Sequence, residues 1–292
     1  MSDGPDVLRR RLVADAGGQR RLLAAPGCWD GFSALLIEQA GFEAAFLSGS
    51  ALSLARLGRP DVGLVAAGEL GDAVRAITDR VSLPLIVDID TGFGNALNTQ
   101  RTVKVLERAG ASALQLEDQT FPKRCGHLRG KSVIPKAEMV GKVRAALDAR
   151  DQTLIIARTD ALGVEGLEAA LDRAEAYLEA GADIIFVEGP RTLDETQAVA
   201  DRFAGRVPLI HNLVEGGITA VRTGEELEEL GFAIALHPML LLHGLAKAGP
   251  EWLAHLRAHG TTDGLENQIL DLARINAVAG VDTLLADAAV YA

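Results

Sequence analysis

Eight short aliphatic runs, each followed by a turn bearing Gly, Asp, Asn or Pro and then by a longer stretch of helical period, constrain this chain more than any other feature. The runs are Arg21–Ala25, Ala44–Leu47, Leu83–Asp88, Ala113–Glu117, Thr153–Arg158, Asp183–Glu188, Val207–Asn212 and Phe232–Leu236. Most are apolar at both parities, which marks strands buried on both faces, as in a parallel sheet covered by helices. The intervening helical stretches are Ser33–Gln39, Glu69–Arg80, Asn98–Arg108, Ala137–Ala149, Leu167–Glu179, Asp194–Phe203 and Glu225–Glu229. Four helix-to-strand junctions look alike, at Gly41, Gly110, Gly181 and Gly231, where a glycine suits the left-handed residue just past a helix end. Eight parallel strands alternating with helices in about 250 residues predict a (β/α)8 barrel of the TIM type. The rival, a doubly wound open sheet, would carry a glycine-rich phosphate loop after its first strand. Gly27-Cys28-Trp29-Asp30-Gly31 lacks that spacing.

Beyond the eighth run, Met239–His259 and Leu265–Ala279 read as helices, more than is needed to close a barrel. The expected organisation is a catalytic barrel over residues 1–259 and a helical tail over 260–292 that belongs to the same structural unit and packs on a neighbouring subunit. A hydrophobic fraction of 48%, with 24% charged and only 4% aromatic residues, excludes a disordered chain. The net charge of −11 argues against nucleic acid or an anionic membrane as partner, so an anionic substrate must be captured by a local cluster or a metal. The most apolar stretch, Gly231–Gly249, is interrupted by His237, Pro238, His243 and Lys247, and no signal peptide is visible at the start. Two cysteines, Cys28 and Cys125, are too few for a disulfide framework and point to the reducing cytoplasm.

Polar residues at the C-terminal ends of barrel strands read as catalytic, because the interior below them is aliphatic. Here they are Asp88 and Asp90, Glu117 and Asp118, Arg158 and Asp160, Glu188, and His211 with Asn212. Asp88 and Asp90 point the same way if the segment is extended, and Glu117 comes from the adjacent strand. Three such carboxylates need a compensating cation, and hard oxygen ligands suit Mg2+ or Mn2+; the alternative is that these acids cap helices and hold arginines. The loop Thr120–Pro135 is long and carries Lys123, Arg124, Cys125, Gly126, His127, Arg129 and Lys131. That is the profile of a lid, and its basic residues favour the Cys125 thiolate, although a lone cysteine in such a loop can be incidental.

Lys123-Arg124-Cys125-Gly126-His127, preceded by Val87-Asp88-Ile89-Asp90-Thr91-Gly92-Phe93-Gly94 and Leu116-Glu117-Asp118-Gln119, resembles the isocitrate lyase and phosphoenolpyruvate mutase superfamily, in particular its 2-methylisocitrate lyase and 2,3-dimethylmalate lyase branch. The match runs from about Pro26 to His259 and includes Phe46-Leu47-Ser48-Gly49, Gly58-Arg59-Pro60-Asp61, Ala157-Arg158-Thr159-Asp160, Val187-Glu188 and Asn212-Leu213-Val214-Glu215-Gly216-Gly217. The resemblance implies a Mg2+-dependent barrel, with Mn2+ as a substitute. Asp88 would be the direct ligand, and Asp90 and Glu117 would hold the metal's waters. It implies that the backbone and hydroxyl around Ser48 and Gly49, next to Ser50, grip a carboxylate together with Arg158. Asp61, Glu188 and Asn212 would line the site, with Lys123 and Gly126 of the loop beside the substrate. Cys125 would be the acid that protonates a carbanionic product, forming with Arg158, Glu188 and His127 the expected catalytic set.

The implied reaction is cleavage of a small 2-hydroxy di- or tricarboxylic acid to pyruvate or glyoxylate plus a carboxylic acid, by a homotetramer that exchanges a C-terminal helix. Decarboxylation or hydrolysis of oxaloacetate or another oxo acid is the alternative within the superfamily. The chain departs from its relatives at Ser48-Gly49-Ser50, His211, Ala220 and His237-Pro238-Met239-Leu240. His237 is therefore a candidate substrate contact, or else a polar residue bonded to a backbone carbonyl. Trp29 and Asp30 could add a wall and an acceptor to the mouth, Cys28 reads as a buried filler, and His243, His255 and His259 read as solvated or interface residues.

Overall fold

The computed structural model describes residues 3–126, 130–217 and 219–291. The strands are β1 (Leu23–Cys28), β2 (Ala45–Leu47), β3 (Leu85–Asp88), β4 (Ala113–Glu117), β5 (Leu154–Thr159), β6 (Ile184–Val187), β7 (Ile210–Asn212) and β8 (Ile234–His237). All pairings are parallel, in the order β6-β5-β4-β3-β2-β1-β8-β7. A parallel bridge between Ile185 and Leu209, with Ile185 N donating to Pro208 O at 3.1 Å, joins the two ends and closes the barrel. The fold is the expected (β/α)8 barrel.

Several of the helices between the strands start at side-chain caps. Asp30 accepts from Ser33 N at 2.7 Å to start helix Gly31–Gln39, Asn95 starts Ala96–Arg108, Thr192 starts Leu193–Phe203 and Thr223 starts Gly224–Glu229. Asp30 is thus a helix cap. The four junction glycines are all left-handed, with φ of 81° at Gly41, 103° at Gly110, 105° at Gly181 and 84° at Gly231, so each helix ends and the chain turns straight into the next strand.

The barrel's interior cluster contains Leu23 and Ala25 of β1, Phe46, Ile86, Ala113, Leu154 and Ile156, Ile184 and Phe186, Ile210, and Ile234 and Leu236. Side chains alternate along a strand, so this set fixes which parity faces inward. Each buried Phe or Ile contributes about 1.5–3 kcal/mol. Helix Gly4–Arg11, absent from the sequence reading, adds Leu8 to the same cluster beside the first residues of the strands and plugs the end opposite the site.

The chain divides into two compact units, Met1–Leu241 and Leu242–Ala292. The division falls near the start of helix Leu240–His259 rather than at its end, in keeping with a helix that buries no residue. The expected helix Leu265–Ala279 is shorter, Leu272–Ala279, because Asp271 caps it by accepting from Arg274 N; Val281–Ala289 follows as a separate helix. No described helix is long and apolar enough to cross a membrane.

Candidate active site

Inward parity, carried one step past the aliphatic cluster, delivers Ser48 from β2, Asp88 from β3, Glu117 from β4, Arg158 from β5, Glu188 from β6 and Asn212 from β7 to the C-terminal mouth. Gln115, two residues before Glu117, shares that inward face. His211 has the outward parity: it is buried and packs edge-on against Phe232, with ring centroids 5.4 Å apart. Asp118 also faces away. It accepts from Thr159 Oγ1 at 2.7 Å, Tyr177 OH at 2.8 Å and Asp160 N at 2.9 Å, so it ties β4 to β5 as a structural acid. His237 ends β8, one step past the inward Leu236. It is half-buried, burial holds its pKa below the usual histidine value against the pull of Glu215, and it lines a recess of about 210 Å3 with Leu213, Glu215, Thr219 and Arg222.

Asp90 is not on an extended segment. Its φ of 50° places it in a tight turn, where Asp90 N donates to Asp88 Oδ1 at 3.1 Å and Asp90 O accepts from Glu117 N at 2.9 Å. The two carboxylates nevertheless converge: a Cβ added at Gly49 would lie 3.2 Å from Asp88 Oδ2 and 3.5 Å from Asp90 Oδ1. Gly49 opens helix Gly49–Leu57, whose first turn Ser48 caps by accepting from Ala51 N at 3.2 Å. The Ser48 hydroxyl accepts from the helix and keeps its own hydrogen to donate, while the backbone at Gly49 faces the carboxylates. Ser50 Oγ donates to Asp61 Oδ2 at 2.8 Å.

Asp61 organises the lid. Its carboxylate receives Lys123 Nζ at 2.6 and 2.7 Å, and its carbonyl accepts from Cys125 N at 3.2 Å. The same Lys123 Nζ lies 2.6 Å from Asp90 Oδ1, with its side chain 2% exposed. Gln119 grips the next residue on both sides: Arg124 N donates to Gln119 Oε1 at 3.0 Å and Gln119 Nε2 donates to Arg124 O at 2.8 Å. The lid's base is a short antiparallel neck, with Thr120 N donating to Ser132 O and Ile134 N to Asp118 O, each at 2.9 Å.

At the tip, a Cβ on Gly126 would fall 2.4 Å from Arg158 Nη2 and 2.6 Å from Glu188 Oε1, so the loop backbone rests directly on those two groups. Lys131 Nζ bridges Gly126 O and Asp160 Oδ1, both at 2.6 Å. Arg158 is held by Asp160 through two hydrogen bonds of 2.9 and 3.1 Å and approaches Glu117 Oε2 at 3.5 Å. Asn212 Nδ2 donates to Glu188 Oε2 at 3.3 Å. His127 lies outside the described residues.

Six carboxylates (Asp61, Asp88, Asp90, Glu117, Asp160 and Glu188) here meet three cations, Lys123, Lys131 and Arg158. Burial, with Asp88 and Asp61 adding to it, pushes Asp90 up to about 7 despite Lys123. Burial, with Asp160 and Asp88, likewise pushes Glu117 well above the usual carboxylate range against the pull of Arg158 and Lys123. For Lys123, burial opposes the charge, but Asp90, Asp88, Glu117 and Asp61 outweigh it and keep the ammonium. Glu117 Oε1 is buried without a hydrogen-bond partner among the described residues. A divalent cation fits this surplus of hard oxygens. Among the described residues no three His, Cys, Asp or Glu side chains form a ready-made coordination shell.

Sequence reasoning missed the pairing of Lys131 with Asp160, the Gln119 clamp, and Lys142, a buried lysine whose Nζ donates to Thr91 O and braces the Asp90 turn. A basic residue on the lid and an acid two places after Arg158 are visible signals for the first. Nothing local marks Lys142.

Residues 17–249 match the phosphoenolpyruvate phosphomutase family. The chain belongs to this family. The 2-methylisocitrate lyase of Aeropyrum pernix is 44% identical over 267 residues, covering 91% of this chain and 83% of the relative. A solved 2,3-dimethylmalate lyase, described as a PEP mutase/isocitrate lyase superfamily member, superposes with a TM-score of 0.91 at 31% identity, over 98% of this chain and 94% of that one. A solved oxaloacetate acetylhydrolase in complex with the inhibitor 3,3-difluorooxalacetate superposes with a TM-score of 0.90 at 33% identity, over 97% and 95%. Within this phosphomutase family, the Lys123–Gly126 segment and the carboxylates it covers form one assembly in the present chain.

Proposed function

We propose that this protein is a Mg2+-dependent carbon–carbon lyase that cleaves a small 2-hydroxy di- or tricarboxylic acid, of the 2-methylisocitrate or alkyl-malate type, to pyruvate or glyoxylate plus a carboxylic acid. The observation that carries this reading is the position of Cys125, tethered through Asp61 to the acidic mouth while Gly126 covers Arg158 and Glu188. Asp88 would hold the cation directly, with Asp90 and Glu117 holding its waters; Mn2+ would serve as well. When bound, the cation polarises the 2-oxygen and adjoining carboxylate of the substrate. Arg158, aimed by Asp160, pairs with that carboxylate, and the backbone at Gly49 supports it. The shut lid excludes water. The 2-hydroxyl gives its proton to a carboxylate of the mouth as the C2–C3 bond breaks; the electron pair of that bond leaves on C3 as a carbanion, and the Cys125 thiol gives its proton to that carbon.

The test is product analysis by mass spectrometry after incubation with substituted malates, isocitrates and oxaloacetate, with and without chelation. Cys125→Ser should keep oxalate binding while turnover falls at least tenfold, a barrier increase of ~1.4 kcal/mol or more. Turnover that survives exhaustive chelation contradicts the metal. A serine variant retaining more than a tenth of turnover supports the second reading, hydrolysis or decarboxylation of an oxo acid, which the similarity to oxaloacetate acetylhydrolase favours.

The assembly proposed is a homotetramer. In the second unit Leu253, Leu272, Leu284, Leu285 and Tyr291 are all exposed, more apolar surface than a lone subunit keeps in water. A monomer in sedimentation equilibrium at micromolar concentration would contradict it. Two cysteines outside any disulfide support a cytoplasmic setting.

A further inference from the structure

Gln115 lies in the barrel interior with no exposed surface, and neither its Oε1 nor its Nε2 has a hydrogen-bond partner among the described residues. Its register neighbours are Asp88 on β3 and Ile156 on β5, and by parity it shares the barrel interior with the apolar cluster that holds Ile86, Ile156 and Phe186. A carboxamide in such a layer is worse than an aliphatic side chain unless something fills its hydrogen bonds. Two residues further along the same face, Glu117 Oε1 is also buried and unpartnered. Residues two apart on a strand are separated by about 6.6 Å, close to the span of one water making two hydrogen bonds of ~2.8 Å.

We infer that Gln115 holds one buried water between its carboxamide and Glu117 Oε1, and that it is thereby a positioning residue for the carboxylate that faces the cation. A water in the plane of the carboxamide accepts from Nε2 and donates to Oε1, which leaves its second hydrogen for Glu117 Oε1. Each of the three orphaned atoms then has a partner, and the water has three hydrogen bonds, the usual number for a buried one. Glu117 is fixed from below by this water and from the side by Arg158, so its free lone pairs stay aimed at the mouth.

The inference rests on the reading that the mouth takes a divalent cation, and its test separates the two. Gln115→Leu keeps the volume and removes the amide. Its melting temperature should equal or exceed that of the wild type, while Mn2+ affinity, followed by electron paramagnetic resonance, weakens about tenfold or more, as expected when a ligand loses its outer support. Leucine variants that bind Mn2+ like the wild type, or that fail to fold, overturn the inference. Independently, a crystal structure of the wild type at atomic resolution should show a water within hydrogen-bond distance of both Gln115 and Glu117. Density with no water there overturns the inference too. A wild type that takes up no Mn2+ overturns the cation reading, and the density still decides the water.

Discussion

Gly126→Ala isolates the lid from the chemistry it covers. The added methyl would start 2.4 Å from Arg158 Nη2 and 2.6 Å from Glu188 Oε1, whereas ordinary contact begins at 3.4 Å, so about 1 Å of retreat is required. Arg158 cannot supply it, because Asp160 fixes the guanidinium through two hydrogen bonds and Phe186 lies under it at 5.3 Å. The lid must lift instead. A displacement of 1 Å at a catalytic group costs on the order of 10²-fold in rate, or about 2.7 kcal/mol. The assay has two arms, turnover on the substrate that product analysis identifies and the rate at which iodoacetamide alkylates Cys125. Turnover should fall about 10²-fold and alkylation should accelerate, because an open lid exposes the thiol. Melting temperature should change little, since no member of the interior cluster is touched. If the alanine variant matches the wild type in both rates, the tip does not rest on Arg158 and Glu188 in solution and the reasoning fails.

Other outcomes follow from buried groups. Arg158 and Lys131 outweigh burial and hold Asp160 down at about 2, below its ordinary 3.8, so its contribution to stability, about 2 kcal/mol, is complete above pH ~4 and is lost as pH falls toward 2. Denaturant titrations should show wild type exceeding Asp160→Asn at pH 6, with the gap closing by pH 2; a gap independent of pH refutes the assignment. Burial, with Asp30 nearby, pushes the Cys28 thiol far up, while Cys125 is partly exposed. A thiol reagent at neutral pH should therefore modify one cysteine in the native protein and the second only on unfolding. Two equally fast thiols would contradict the burial of Cys28.

Most of the site was legible because it obeys parity. Once β4 is read as Ala113–Glu117 and β5 as ending near Arg158, the alternation that buries Ala113 and Ile156 must turn Glu117 and Arg158 into the same mouth. Gln115 was equally readable by that rule, yet an apolar run hides a single amide. Besides Val281–Ala289 at the end of the chain, three helices escaped. Gly49–Leu57 begins with Gly and Ser, poor helix formers, although Ser48 as its cap and the left-handed Gly58 at its end were signals. Leu162–Glu165 is one turn, and Gly4–Arg11 carries three consecutive arginines that mask its buried leucine, Leu8, and the buried Leu12 that caps it. The double engagement of Lys123 was not legible, because it depends on Asp61 arriving from 62 residues upstream. His237 ends β8, whose inward positions are Ile234 and Leu236.

The antiparallel neck between residues 118–120 and 132–134 has a consequence for how such a chain can change. A residue inserted inside β3 or β4 would turn every following side chain to the other face, sending a carboxylate into the helical layer and an aliphatic into the mouth. A residue inserted between Thr120 and Ser132 is absorbed above the neck, where loop closure grows only slowly more costly with length. Length variation in this barrel therefore has a permitted place, the segment whose Gly126 lies against Arg158 and Glu188. Residues can be added or deleted there while the carboxylates beneath keep their register.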